Sequence, residues 1–249
     1  MIRGILFDKD GTLIDFDAIW VPVVSAAFEV MLTEWGLPLS LKEEMMEAIG
    51  VKNGITSVTG ELCCGTYASI SEKTVAFLAS HGVTVSVEEN LRASRERIHS
   101  MLGKGRVVPV CDDLGSVLEE LKKMGITLGV VTSDDRVGAE HCLEKIGILS
   151  CFDVICADDG IHPPKPDPYY LLRFLEEKHL KKEEVMMVGD TFSDIRFAKN
   201  AGVFAVGVAK NEENRLLLAK EADVVLPDVS FLPALLRNGE DFNEKKVII

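Results

Sequence analysis

Residues 5–15 read ILFDKDGTLID, and the rest of the chain is best understood outward from them. An apolar run, Ile5 to Phe7, ends in two carboxylates two positions apart, Asp8 and Asp10, followed by Gly11, Thr12 and more apolar residues. A short run of this kind reads as a buried strand, and an open parallel sheet binds ligands beyond the carboxyl ends of its strands. In extended backbone, residues i and i+2 point the same way, so Asp8 and Asp10 are expected to face one ligand. Two such carboxylates repel unless a cation or a shared proton sits with them. Gly11 lets the backbone turn sharply after the strand and is expected to expose N–H groups to an anion.

From about residue 105 the pattern alternates. Apolar, β-branched runs lie at 126–132, 152–157, 184–190, 203–209 and 222–228. Helical periodicity fills the gaps at 114–124, 138–146, 169–179, 193–200 and 212–221. Strands alternating with helices predict right-handed crossovers and a parallel sheet covered on both faces. Residues 16–102 differ: helical patterns at 18–35, 41–49, 70–81 and 87–102 predict an insert between the first strand and the rest of the sheet. The expected domains are therefore 1–15 with 103–249, an α/β core, and 16–102, a helical insertion. The tail NGEDFNEKKVII (238–249) fits neither pattern.

The chain has 249 residues and a formal charge of −13, which argues against nucleic-acid and anionic-membrane partners. The apolar region 19–39 carries Glu29 and Glu34 and reads as a buried helix, not a membrane span. There is no basic segment followed by an apolar stretch and cleavage site at the start. The six cysteines, among them the adjacent pair Cys63–Cys64, form no CxxC pair and are expected to be reduced core residues of a cytoplasmic protein.

The predicted strand ends deliver Asp8, Asp10, Gly11 and Thr12; then Thr132, Ser133, Asp134 and Asp135; then Lys165 in HPPKPDP; then Asp190 and Asp194. Clustered carboxylate oxygens suit Mg²⁺, with Mn²⁺ also possible. Such a set can run covalent phosphoryl transfer. Asp8 attacks phosphorus, Asp10 protonates the leaving oxygen and later deprotonates the attacking water, and Thr132, Ser133, Lys165 and the Gly11 loop hold the phosphoryl group. Asp134 and Asp135 are expected to cap the following helix, and His162, in the Lys165 loop, to be solvated.

DKDGT (8–12), the threonine ending GVVT (129–132), KPDP (165–168) and GDTFSD (189–194) occur in that order. Together they resemble the four motifs of the haloacid-dehalogenase superfamily, and within it the phosphoglycolate phosphatase-like group. The resemblance implies an α/β fold: a Rossmann-like three-layer core with a central parallel sheet, plus an inserted all-helical cap domain. It implies Asp8 as nucleophile and Asp10 as general acid/base. Asp8, Asp190 and the backbone carbonyl of Asp10 would be Mg²⁺ ligands, and Asp194 a supporting carboxylate. The expected function is Mg-dependent hydrolysis of small phosphomonoesters through an aspartyl-phosphate, phosphoglycolate-like or sugar phosphates among them. Dehalogenases of the superfamily lack the second aspartate, which is present here as Asp10, and its mutases usually carry valine where Thr12 stands. In capped relatives a loop near GVKNGI (50–55) reaches substrate, which makes Lys52 and Asn53 candidates for specificity beside the reading of a plain solvated turn. A sugar-phosphate mutase and a non-hydrolytic phospho-acceptor or binding protein are the alternative readings.

Overall fold

The opening apolar run becomes an inner strand of a parallel sheet in the computed structural model, which describes residues 1–237 and 247–248. In chain order, β1 (Gly4–Phe7) is followed by α1 (Phe16–Glu34), α2 (Lys42–Ala48), β2 (Val51–Lys52), β3 (Ile55–Thr56), α3 (Glu61–Cys64), α4 (Tyr67–Ser80) and α5 (Val87–Met101). Strict alternation then sets in: α6 (Leu114–Lys123), β4 (Thr127–Asp135), α7 (Arg136–Lys145), β5 (Val154–Asp158), α8 (Tyr169–Glu177), β6 (Val185–Gly189), α9 (Phe192–Ala201), β7 (Phe204–Val208), α10 (Glu212–Leu218) and β8 (Val224–Leu226). Helix α11 (Leu232–Arg237) and strand β9 (Val247–Ile248) follow. Two compact units result, Met1–Asp15 with Val107–Ile249, and Phe16–Arg106. The second unit thus runs on to Arg106, past the expected boundary at 102.

The first unit is α/β. Among the described residues its sheet has seven strands in the order β5-β4-β1-β6-β7-β8-β9, every pair parallel. The chain works outward from β1 in one direction through β4 and β5, and then in the other from β6 onward. That reversal puts a ligand crevice at the carboxyl ends of β4, β1 and β6. The inner strands are buried on both faces: Ile5, Leu6, Phe7, Val130, Met186, Met187 and Val188 are all inaccessible to solvent. One face packs on α8, α9 and α10, through Phe174, Leu171, Phe197, Ala201 and Leu218 against Leu6, Val131, Met187 and Ala205. The Phe174 ring lies over two glycines, Gly4 and Gly129, whose missing Cβ atoms leave room for it. Truncating Phe174 to alanine would cost about 3–5 kcal/mol. Helix α9 starts on a capping box, Thr191 with Asp194, and ends on the left-handed Gly202. Of the tail left unplaced by its sequence, Val247–Ile248 pair with β8; the rest lies outside the described residues.

The second unit is mainly helical. Helix α1 is long and apolar enough by composition to cross a membrane, with a mean hydropathy of 1.5. Its buried stripe, Val23, Val24, Ala27, Phe28, Met31 and Leu32, packs instead on Met45 and Met46 of α2, Phe77 and Leu78 of α4 and Ile98 of α5, the pattern of a core helix. Trp20 and Trp35 flank this core. Between α4 and α5 the buried Asn90 donates to Ser71 Oγ at 2.9 Å. The unit is not all-helical, however: β2 and β3 form an antiparallel hairpin. Its turn is Asn53–Gly54, with φ of 52° and 76°, the pairing that a two-residue hairpin turn favours. The strands are too short to show periodicity, so only that dipeptide marked them. The cysteines also depart from expectation. All six thiols are free, but Cys64 is exposed and the other five are half-buried, so none is a core residue.

Candidate active site

Three neighbouring strand ends carry the charged groups. Asp8 follows β1, and its N–H donates to Val188 O at 2.8 Å, which ties it to β6. Asp190 follows β6 directly, and Asp194 sits in the first turn of α9. Carboxylate oxygens of Asp8, Asp190 and Asp194 lie within 4.8 Å of one another. Lys165 Nζ enters this group: it donates to Asp8 Oδ1, to Asp194 Oδ1 at 2.6 Å and to Val131 O at 3.4 Å. Both oxygens of Asp194 are engaged, since its Oδ2 also accepts from Thr191 N–H at 3.1 Å and Thr191 Oγ1 at 2.6 Å.

Two glycines make this crowding possible. Gly11 has φ +87°, and a Cβ there would collide with the Asp190 carboxylate; a Cβ on Gly189 would collide with Asp194. The structure corrects the expectation for Gly11. Its N–H is not offered to an anion but donates to Ile14 O at 2.6 Å, because the 10–14 loop closes on itself. What the glycine provides is the turn and the close approach of Asp190.

Three carboxylates facing one ammonium leave the pocket of charge short of two positive charges. Burial pushes the Asp8 carboxyl up to about 7, against the pull of Lys165 and with the push of Asp194. Burial, reinforced by Asp8 and Asp194, holds Asp190 well above the ordinary carboxylate range. Burial works against the Lys165 charge, but Asp194 and Asp8 outweigh it and keep the ammonium protonated. A hard divalent cation matches both the charge deficit and the oxygen donor set.

Asp10 stands apart. Its carboxylate is turned onto Lys9, whose Nζ lies 2.7 Å from both of its oxygens, and it is not one of the three clustered carboxylates. The strand ends at Phe7 and the chain bends at Lys9, so the backbone is no longer extended between the two carboxylates, although Asp10 stays within electrostatic reach of Asp8 and Lys165. Burial raises the Asp10 carboxyl, with Lys9 opposing. Lys9 itself is 1% exposed and also reaches Asp134 Oδ2 at 3.0 Å. Lys9 is not among the residues that the sequence pattern singles out; its signal is that a lysine directly after a buried apolar strand must be paired.

At the end of β4, the ladder becomes irregular between Val131 and Asp135. Thr132 is 6% exposed and its Oγ1 accepts from Asp134 N–H at 3.2 Å, which leaves its own hydrogen free to donate. Ser133 is exposed. Asp135 caps α7 through Gly138 N–H at 2.9 Å. Asp134, expected to cap as well, pairs with Lys9 instead. His162 is not freely solvated: it stacks on Tyr169 at 4.1 Å and binds Asp159 at 2.7 Å. A cavity of about 420 Å³ along β5 and α8, lined by Cys156, Tyr170 and Arg173 among others, holds none of the clustered carboxylates. Lys52 and Asn53 are exposed at the hairpin tip of the second unit.

The grouping provides a buried carboxylate able to serve as a nucleophile, oxygen donors that could hold a cation beside it, an ammonium that can neutralise an oxyanion, and a separate carboxylate with a raised affinity for its proton. These are the parts of acyl- or phosphoryl-type transfer to a carboxylate. Comparison with known proteins agrees. The chain is 29% identical over 256 residues to a phosphoglycolate phosphatase of Salmonella typhi, covering 98% of this chain and 97% of that protein. It is also 29% identical over 238 residues to the pyrophosphatase PpaX of Bacillus cereus, covering 95% and 97%. A solved structure of a predicted phosphoglycolate phosphatase from Haemophilus somnus superposes with a TM-score of 0.68 at 20% identity, covering 94% and 98%. The family model for haloacid dehalogenase-like hydrolases matches residues 2–202, and the chain belongs to that family.

Proposed function

We propose that this protein is a cytoplasmic Mg²⁺-dependent phosphatase that hydrolyses small phosphomonoesters through an aspartyl-phosphate on Asp8. The observation that carries the reading is the meeting of Asp8, Asp190 and Asp194 with a single ammonium, Lys165, at adjacent strand ends. Asp8, Asp190 and the backbone carbonyl of Asp10 would hold Mg²⁺, or Mn²⁺, which would neutralise charge developing on the phosphoryl oxygens. Asp194 is better placed to support than to ligate, because its oxygens already serve Lys165 and Thr191.

Asp8 is the nucleophile, and the ammonium of Lys165 keeps its carboxylate accessible near neutral pH despite burial. Lys165, the Thr132 hydroxyl and Ser133 hold the phosphoryl oxygens; Gly11 acts by shaping the turn. Asp10, raised by burial, donates a proton to the leaving oxygen and then takes one from the attacking water. The Phe16–Arg106 unit is the cap, and Lys52 and Asn53 read the substrate's leaving group. Relatives named for phosphoglycolate and for pyrophosphate support a small phosphorylated metabolite as substrate.

The test is phosphate release from phosphoglycolate, pyrophosphate and hexose phosphates, with Mg²⁺, with chelator, and with Asp8→Asn. Metal-dependent release that vanishes in the variant supports the phosphatase. Absence of release from every compound would overturn it.

A further inference from the structure

Lys9 lies in the middle of the first motif, and the phosphatase chemistry above assigns it no part. Its ammonium bridges two loops. It meets both oxygens of Asp10 at 2.7 Å and Asp134 Oδ2 at 3.0 Å. Its own backbone is held firmly, since Lys9 O accepts from the N–H groups of Leu13 and Ile14, both at 2.9 Å. Asp134 belongs to the irregular end of β4 and donates its N–H to Thr132 Oγ1. The Lys9 ammonium therefore ties the loop bearing Asp10 to the strand end bearing Thr132.

A buried ion pair is a poor way to stabilise a fold. Removing both charges from water costs nearly what their attraction returns, and an apolar side chain of similar volume usually serves as well. The pair does give geometry. A carboxylate has about four lone-pair sites. Lys9 engages one on each oxygen of Asp10, so the carboxylate is fixed in orientation and keeps sites free to accept from a water or, once protonated, to donate to a leaving oxygen.

We propose that Lys9 is a positioning residue for Asp10, with Asp134 as its counter-anchor, and that this pair governs the proton-transfer part of the reaction. The proposal rests on the phosphatase reading. In the first step Asp8 Oδ attacks phosphorus and the P–O bond to the leaving group breaks, its electron pair departing on that oxygen. An alkoxide must take a proton from Asp10 to leave, whereas a nitrophenolate leaves without one. In the second step water oxygen attacks the phosphorus of phospho-Asp8 and passes its proton to Asp10. The P–O bond to Asp8 breaks, returning the carboxylate and releasing inorganic phosphate.

Misplacing a reacting group by about 1 Å can cost on the order of 100-fold. In Lys9→Met with Mg²⁺ and nitrophenyl phosphate, a burst of nitrophenol on the order of one per active site should precede turnover slowed roughly 10- to 100-fold, with phospho-Asp8 accumulating. With an alkyl phosphate the burst disappears, so the aryl-to-alkyl ratio of kcat/KM rises. Asp134→Asn, at a side chain 45% exposed, should move in the same direction by a few-fold and decides the matter if Lys9→Met fails to fold. Turnover like wild type in both variants would overturn the proposal. So would an equal loss of the burst and of turnover with both leaving groups, which is the mark of general damage. Wild-type protein with no metal-dependent release from any ester would sink the phosphatase reading, and this proposal with it. Failure of the Lys9 role alone leaves wild-type turnover intact.

Discussion

Replacing Asp8 by asparagine should stabilise the metal-free protein while it abolishes turnover. The folded chain holds the Asp8 proton up to about 7, against an ordinary value of 3.8. The folded state therefore binds this proton more tightly than the unfolded one. Stability is fully present below pH about 4, falls as pH rises through about 7, and then levels off. A gap of about 3 units corresponds to about 4 kcal/mol at 1.36 kcal/mol per unit. Asparagine keeps the size and polarity of the neutral acid and never ionises, and Lys165 retains Asp194 as partner. At pH 8 in chelator, Asp8→Asn should be more stable than wild type by about 2–4 kcal/mol, since Asp190 responds to the same repulsion. That is a rise in Tm of roughly 5–15 °C for a chain of this size. Thermal unfolding from pH 5 to 8 with chelator reads it directly. Added Mg²⁺ at about 100 Kd should return about 2.7 kcal/mol to wild type and less to the variant, which lacks a ligand. A variant less stable than wild type at pH 8, or a wild-type Tm that does not fall between pH 5 and 8, would refute the argument.

Other consequences follow from individual contacts. Gly11→Ala forces a Cβ onto the Asp190 carboxylate at φ +87°; it should lose about 1–3 kcal/mol of stability and nearly all activity, read by denaturant unfolding and phosphate release. Thr191→Val removes the hydroxyl that caps α9 by accepting from Asp194 N–H and that donates to Asp194 Oδ2; it should cost about 1–2 kcal/mol, and a loss below about 0.5 kcal/mol in urea unfolding would exclude the cap as a stabilising element. Lys52→Ala and Asn53→Ala should shift KM between substrates with different leaving groups and leave the yield of phospho-Asp8 unchanged; equal kinetics on every substrate would remove these residues from specificity.

The fold was largely legible because parallel strands buried on both faces leave continuous apolar runs, and each run found its strand. The strand ends delivered Asp8, Thr132, Lys165, Asp190 and Asp194 to one side of the sheet because a parallel sheet has only one carboxyl edge. What escaped the sequence reading was local and three-dimensional. The hairpin at Val51–Thr56 is two residues per strand, below any periodicity. The Gly11 N–H is consumed by a turn that closes three residues on, and no spacing rule announces it. Lys9 reaches Asp134 across more than a hundred residues of chain, and Asp134 could equally have capped the next helix, as its neighbour Asp135 does. Side-chain choice among nearby partners is decided by packing, which linear pattern does not carry.

The central claim is that Asp8 becomes phosphorylated during turnover. The measurement is intact-protein and peptide mass after rapid acid quench of the Mg²⁺-loaded protein with its best phosphomonoester, in wild type and in Asp10→Asn, where hydrolysis of the intermediate is slowed. The account predicts one added phosphoryl group, on the peptide spanning residues 5–15 and on Asp8 within it, more abundant in the Asp10 variant. Rapid phosphate release with no phosphoryl group on Asp8 in either protein would contradict it.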